Sequence, residues 1–220
     1  MWKSRRLRGL STSRSRKCDR QDCKWNKTLS WAPSLGNVAV QAVDESPGAV
    51  FKGLVFGTNK SGTFLFVTNF RGATVEVFAP NGSTGYQRVG AFTDTGIPAG
   101  YAPFGLHNIN GMLFVTYAQQ DAKLHDDVPG QGHGFVDVFD TNGNLIQRFA
   151  QHGQLNSPWG VVQASMAFGD FSSDILVGNF GDGTINAYDA KRGNFVGTVR
   201  GHEQQAAGDR WTVVTDAGRW

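Results

Sequence analysis

The chain has 220 residues, 40% of them hydrophobic, which is enough for a real core in one or two ordinary domains and excludes a disordered tail. Its 29 glycines and 12% aromatic content, with 16 Phe against 4 Tyr, suit many short strands joined by turns. The formal charge of +3 is uneven: residues 1–27 hold ten Lys or Arg against Asp19 and Asp22, and the eleven basic and sixteen acidic residues that remain leave the body at −5.

Residues 1–27 form a basic, Ser-rich head, separate from a body at 28–220. Phosphate-backbone binding, a targeting peptide and a disordered or wrongly assigned start are the three readings of such a head. It lacks the apolar stretch of a secretory signal, and no run of about 18 apolar residues occurs anywhere, so no membrane span is expected. With the body acidic, nucleic acid is not expected as a partner. Cys18 and Cys23 make a lone C-x4-C without the second ligand pair of a structural zinc site.

From Thr28 the pattern becomes one of strands. TLSW at 28–31 and VAVQAVD at 38–44 read as the last two strands of a four-stranded unit. Whole units follow at about 51–92 (FKGLVF, LFVTNF, TVEVF, YQRVGAF), 103–150 (PFGLHNI, LFVTYA, FVDVFD, LIQRFA) and 158–200 (PWGVVQA, ILVGNF, TINAY, FVGTV). Leu65–Phe78 and Ile175–Tyr188 align without gaps at an offset of 110 residues, and Gly53, Gly105 and Gly160 stand 52 and 55 residues apart near the start of each first strand. WTVV, from Trp211, follows WGVV, from Trp159, by 52 residues and marks a further partial unit at 210–215. Four antiparallel strands repeated every 50 or so residues, with no helix between, predict an all-β fold, a β-propeller of four-stranded antiparallel blades. About three whole blades plus two partial ones make an incomplete ring. Open blade faces of about several hundred Å² each predict self-association.

SGTFLFVTNFRGATVEVF, the block from Gly96 to Leu145 and LNSPWGVV with SSDILVGNFGDGTINAYD resemble uncharacterised bacterial proteins associated with the PEP-CTERM system and related to NHL-repeat propellers, over about residues 29–199. The resemblance implies an exported or extracellular propeller with no established activity. Members of that family are longer, with a signal peptide and further blades, so this chain reads as a truncated or frame-disturbed member.

Chemistry has few candidates. Three residues separate Phe70 from Thr74, but sixteen separate Ala118 from Phe135, so the middle blade carries thirteen extra residues that include Asp121, His125, Asp126, Asp127 and His133. Closing the longer loop costs only about 1–2 kcal/mol more, so the fold neither requires nor forbids it. Oxygen and imidazole groups among glycines could hold Ca or Zn, yet the spacing fits neither an EF-hand nor a zinc helix motif. Asp126 and Asp127 are the first choices as metal ligands, because their wording is characteristic of the resembling family; solvated turn-capping side chains are the alternative. His107 takes the slot of Val55 and Val162 on the innermost strand, where it is either a ligand or general base or a hydrogen-bonded strand histidine. Asn69 and Asn179, recurring at the end of the second strand, are expected to satisfy backbone groups, and Asp140 and Asp189 to open turns. Trp159 and Trp211 are expected to pack between blades, or near a channel mouth to stack a sugar ring. His152 and His202 read as surface residues. The function expected is a non-catalytic binding or scaffold propeller of unknown ligand; the alternative is a metal-dependent lyase or lactonase with a site in the central channel.

Overall fold

The computed structural model describes residues 10–11, 27–30, 37–38, 40–45, 47–82 and 85–200. Most of the basic head, both cysteines, Trp211, His202 and the partial blade expected at 210–215 lie outside the described residues.

The chain is all-β, a propeller of four-stranded antiparallel blades. A short three-stranded sheet comes first, in the order β1 (Leu10–Ser11), β2 (Lys27–Ser30) and β3 (Val40–Asp44). Blade A follows with β4 (Phe51–Asn59), β5 (Gly62–Asn69), β6 (Thr74–Asn81) and β7 (Gly85–Phe92). Blade B comprises β8 (Tyr101–Ile109), β9 (Met112–Gln119), β10 (Phe135–Phe139) and β11 (Leu145–Gln151). Blade C comprises β12 (Pro158–Gln163), β13 (Ile175–Asn179), β14 (Ile185–Tyr188) and β15 (Phe195–Thr198). In each blade the strands pair antiparallel in chain order, the meander that short turns between apolar runs produce.

Both faces of blades A and B are buried, and the two-residue period of the second strand shows how. Leu65 and Val67 of β5 join Ala42, Val43, Phe51 and Phe78 in the cluster between the first sheet and blade A, while Phe66 points the other way to join Leu106, Leu113 and Phe139 of blade B. One blade on, Leu113, Val115 and Tyr117 face blade A, and Phe114 packs with Val161, Ile175 and Val177 of blade C. A strand with period two whose two faces are both apolar needs a neighbour on each side, which is why the strands read as nearly continuous hydrophobic runs. Each fully buried Phe or Leu contributes about 1.5–3 kcal/mol.

The repeated glycines set the approach of the innermost strands. A Cβ on Gly53 would lie 3.0 Å from the Leu106 nitrogen, and one on Gly105 would lie 1.9 Å from the Trp159 oxygen. Polar links cross the same junctions: Thr68 Oγ1 donates to the Phe104 carbonyl (3.1 Å) and Asn108 Nδ2 to the Phe56 carbonyl (2.8 Å).

A charged network secures the linker between blades A and B. Arg148 of β11 donates through Nε to Asp137 of β10 at 2.5 Å and through a second nitrogen to Asp94 of the linker. Burial pushes the Asp137 carboxyl up to about 7, with Arg148 pulling against it. Asp94 is held below the ordinary aspartate range: burial opposes this, but the Gly96 amide and Arg148 outweigh it.

Candidate functional site

In register, Lys52, Phe104 and Trp159 occupy one position of the repeat, the residue before the conserved-in-repeat glycine of each innermost strand. Stacking the blades therefore gathers three unlike side chains at one end of the inner strands. Trp159 Nε1 donates to the Lys52 carbonyl at 3.2 Å, joining blade C directly to blade A. The Lys52 ammonium lies 5.7 Å from the ring centre of Phe70 and 5.8 Å from that of Phe104, which favours its charge through the ring faces. Phe104 in turn packs against Phe70 (5.3 Å) and Phe180 (5.9 Å, edge to face). Gln120 Nε2 donates to the Phe70 carbonyl at 2.6 Å. All three blades thus contribute to one mouth. Two of its aromatic rings stay open to solvent, Trp159 at 46% and Phe180 at 65%.

The expanded loop of blade B folds over this mouth. Asp121 Oδ1 accepts the amides of His125 (2.8 Å) and Asp126 (3.2 Å), which turns the loop tip. Burial opposes ionisation of Asp121, but these amides outweigh it and hold the carboxyl below its ordinary range. Asp126 Oδ1 receives Lys52 Nζ at 3.2 Å and lies 3.0 Å from His125 Nδ1. Here too burial is outweighed, by the bonds from His125 and Lys52, and the carboxyl stays ionised further into acid than a free aspartate. Asp127 has one oxygen, Oδ2, buried without a protein partner. The loop therefore uses its acids to shape itself and to dock on the lysine. Among the described residues no three His, Cys, Asp or Glu side chains converge where they could hold one metal ion.

The second half of the loop is structural. Gly132 N donates to the Leu155 carbonyl (2.8 Å), Ser157 N to the His133 carbonyl (2.9 Å), His152 N to the Gly134 carbonyl (2.9 Å), and Gly130 N to Asn156 Oδ1 (2.7 Å). These bonds build the junction between blades B and C, which corrects the expectation that the fold is indifferent to the loop. Comparing turn lengths could not reveal it, because the partners lie in the next interblade linker.

His107 sits further along β8, partly buried, with Nε2 3.0 Å from the Trp159 carbonyl. A carbonyl only accepts, so Nε2 carries the proton and Nδ1 the lone pair. Burial lowers the His107 pKa, with the Trp159 bond working against it, so the ring is neutral at pH 7. Asn69 Oδ1 accepts the amides of Val50 (3.2 Å) and Gly72 (3.0 Å), and Asn179 Oδ1 that of Asn156 (3.1 Å). Asp140 accepts the amides of Asn142 and Asn144, and Asp189 those of Lys191 and Arg192. His152 is exposed, its ring 4.7 Å from that of Phe135. Lys52, Phe70, Phe104 and Phe180 escaped sequence reasoning. The repeat held the signal for Lys52 and Phe104, at one register position that varies among Lys, Phe and Trp beside a glycine that does not vary, and for Phe70 and Phe180, which each follow the recurring asparagine.

No family model matches the chain. It is similar to uncharacterised proteins of Acanthamoeba polyphaga mimivirus: one 34% identical over 153 residues (68% of this chain, 37% of the relative), and another 33% identical over 154 residues (69% and 40%). The chain thus spans about two fifths of the length of these curated relatives. Among solved structures it is similar to the periplasmic gluconolactonase PpgL of Pseudomonas aeruginosa (20% identity, 80% of this chain and 47% of that one, TM-score 0.47). A second is hydrazine synthase of Kuenenia stuttgartiensis (13% identity, 80% and 44%, TM-score 0.48). The viral relatives overturn the resemblance to bacterial PEP-CTERM-associated proteins. The motifs behind that resemblance are largely those of the repeated hairpin, which the blade architecture itself demands. Among the described residues no helix is long and apolar enough to cross a membrane.

Proposed function

We propose that this chain is a non-catalytic binding propeller whose ligand face is the mouth built by Lys52, Phe70, Phe104, Asp126, Trp159 and Phe180, and that its ligand class is a saccharide. The carrying observation is Trp159: its indole is fixed by the bond from Nε1 to the Lys52 carbonyl yet stays 46% exposed. An exposed aromatic ring held still offers area at little entropic cost, and the apolar face of a sugar ring fits it. Hydroxyl groups at the sugar edge find acceptors and donors nearby in Asp126, whose side chain is 66% exposed, and in Lys52. The ion pair orients both groups through Asp126 Oδ1 and leaves the Asp126 side chain open to solvent.

The test is a glycan array probed with the chain and with Trp159→Ala, followed by titration of any glycan retained. The proposal expects selective retention and a loss of affinity of about tenfold or more in the variant, the scale of one lost stacking contact. Retention of no glycan, or equal retention by both proteins, would defeat it.

A further inference from the structure

We infer that the open inner face of blade C is a docking strip for one more strand, and that its occupant is the segment 211–214 of this same chain. The repeat supplies the first observation. Gly53 and Gly105 are pressed by the next blade's innermost strand, but among the described residues a Cβ on Gly160 would meet nothing within 4 Å. The third glycine keeps the feature that close approach requires while its contact stands open.

Val162 is the second observation. Its counterparts at the same register are Val55, which packs into the cluster shared with blade B, and His107, which bonds to the next innermost strand. Val162 is 54% exposed, so a side chain that faces a neighbour in two blades faces solvent in the third.

The width of the strip comes from the rest of blade C. The loop between β12 and β13 spans 164–174 and carries a single 3-10 turn, Gly169–Phe171. Phe171 packs with Ala164, Leu176, Ala187, Ile185 and Val199, roofing the outer strands on the side that a following blade would cover. On β12 itself Val162 stays exposed.

The chain carries a matching segment at a matching distance. WTVV at 211–214 repeats the wording of WGVV at 159–162, and Trp211 follows Trp159 by 52 residues, the spacing that separates Gly53 from Gly105. Twelve residues, 199–210, join β15 to it, and eleven, 93–103, join β7 to Phe104. Residues 211–214 lie outside the described residues. A reach of twelve residues spans the width of a blade easily.

The experiment turns on a sign. In the full chain, Gly160→Val is compared with wild type by thermal melting and by hydrogen exchange of the peptide covering 211–214. With the segment docked, the new side chain meets its backbone, Tm falls by about 2 °C or more, and the slow exchange of 211–214 is lost. With the strip vacant, valine in an extended strand raises Tm instead. Trp211→Ala, which leaves Gly160 in place, is expected to lower Tm as well. A raised Tm for Gly160→Val, fast exchange of 211–214 in wild type, or protection that disappears on dilution and so belongs to a second copy would each overturn the inference. The inference does not rest on glycan binding at Trp159, which the glycan array reads separately.

Discussion

Arg148 holds two carboxylates that the fold has largely removed from water. Replacing it by methionine keeps the stem and leaves Asp94 and Asp137 facing each other uncompensated. Breaking a buried pair in this way costs about 3–5 kcal/mol. The pH dependence follows from Asp137, whose folded value near 7 lies above the 3.8 of an ordinary aspartate. The unfolded chain releases that proton first, so the stability contributed by this carboxyl falls as pH rises between about 4 and about 7. Without Arg148 the Asp137 carboxyl rises further and Asp94 loses a partner that holds it low, and the loss measured by urea unfolding is expected to be larger at pH 8 than at pH 5. An equal loss at both would remove the network from the account. Gly105→Ala is a second residue-scale test. Its Cβ would collide with the Trp159 backbone, and a loss of about 1–3 kcal/mol is expected, the scale of an overpacked site.

At the scale of elements, the sequence disclosed the strands because blade burial imposes a two-residue period and a recurring glycine, and both survive in the letters. Leu65, Leu113 and Ile175 could be matched by eye for that reason. The loop of blade B was half legible. Its thirteen extra residues were visible, but its partners were not: Lys52 is 74 residues from Asp126, and the linker at 152–157 lies beyond two further strands. The two halves of the loop are expected to respond differently to replacement. Exchanging residues 121–126 for a Gly-Ser turn removes the contact with Lys52, and stability should change by no more than about 1 kcal/mol, because the Asp126 side of that ion pair is exposed and Lys52 keeps its contacts with the Phe70 and Phe104 rings. Exchanging 129–134 strips the junction of several backbone hydrogen bonds, and a loss of about 2–4 kcal/mol is expected at roughly 1 kcal/mol per bond. Chemical denaturation of both variants checks this; equal losses would show that the junction does not depend on the loop.

At the scale of the molecule, stacking decides which side chains meet. Lys52, Phe104 and Trp159 are about 50 residues apart in sequence and share a mouth only because each blade presents the same register position to the same end. Of these three only Trp159 stood out in the sequence, as a side chain that packs between blades or stacks a sugar near a channel mouth; Lys52 and Phe104 did not, because the charged letters cluster in the loop. The central claim is that this mouth binds a saccharide, and the most direct measurement is amide and indole NMR shift mapping during titration with a glycan retained on the array. The account predicts shifts that saturate and centre on the Trp159 indole, Phe180, Phe104 and Lys52, and that vanish in Trp159→Ala. Saturating shifts centred elsewhere, or none at millimolar ligand, would contradict it.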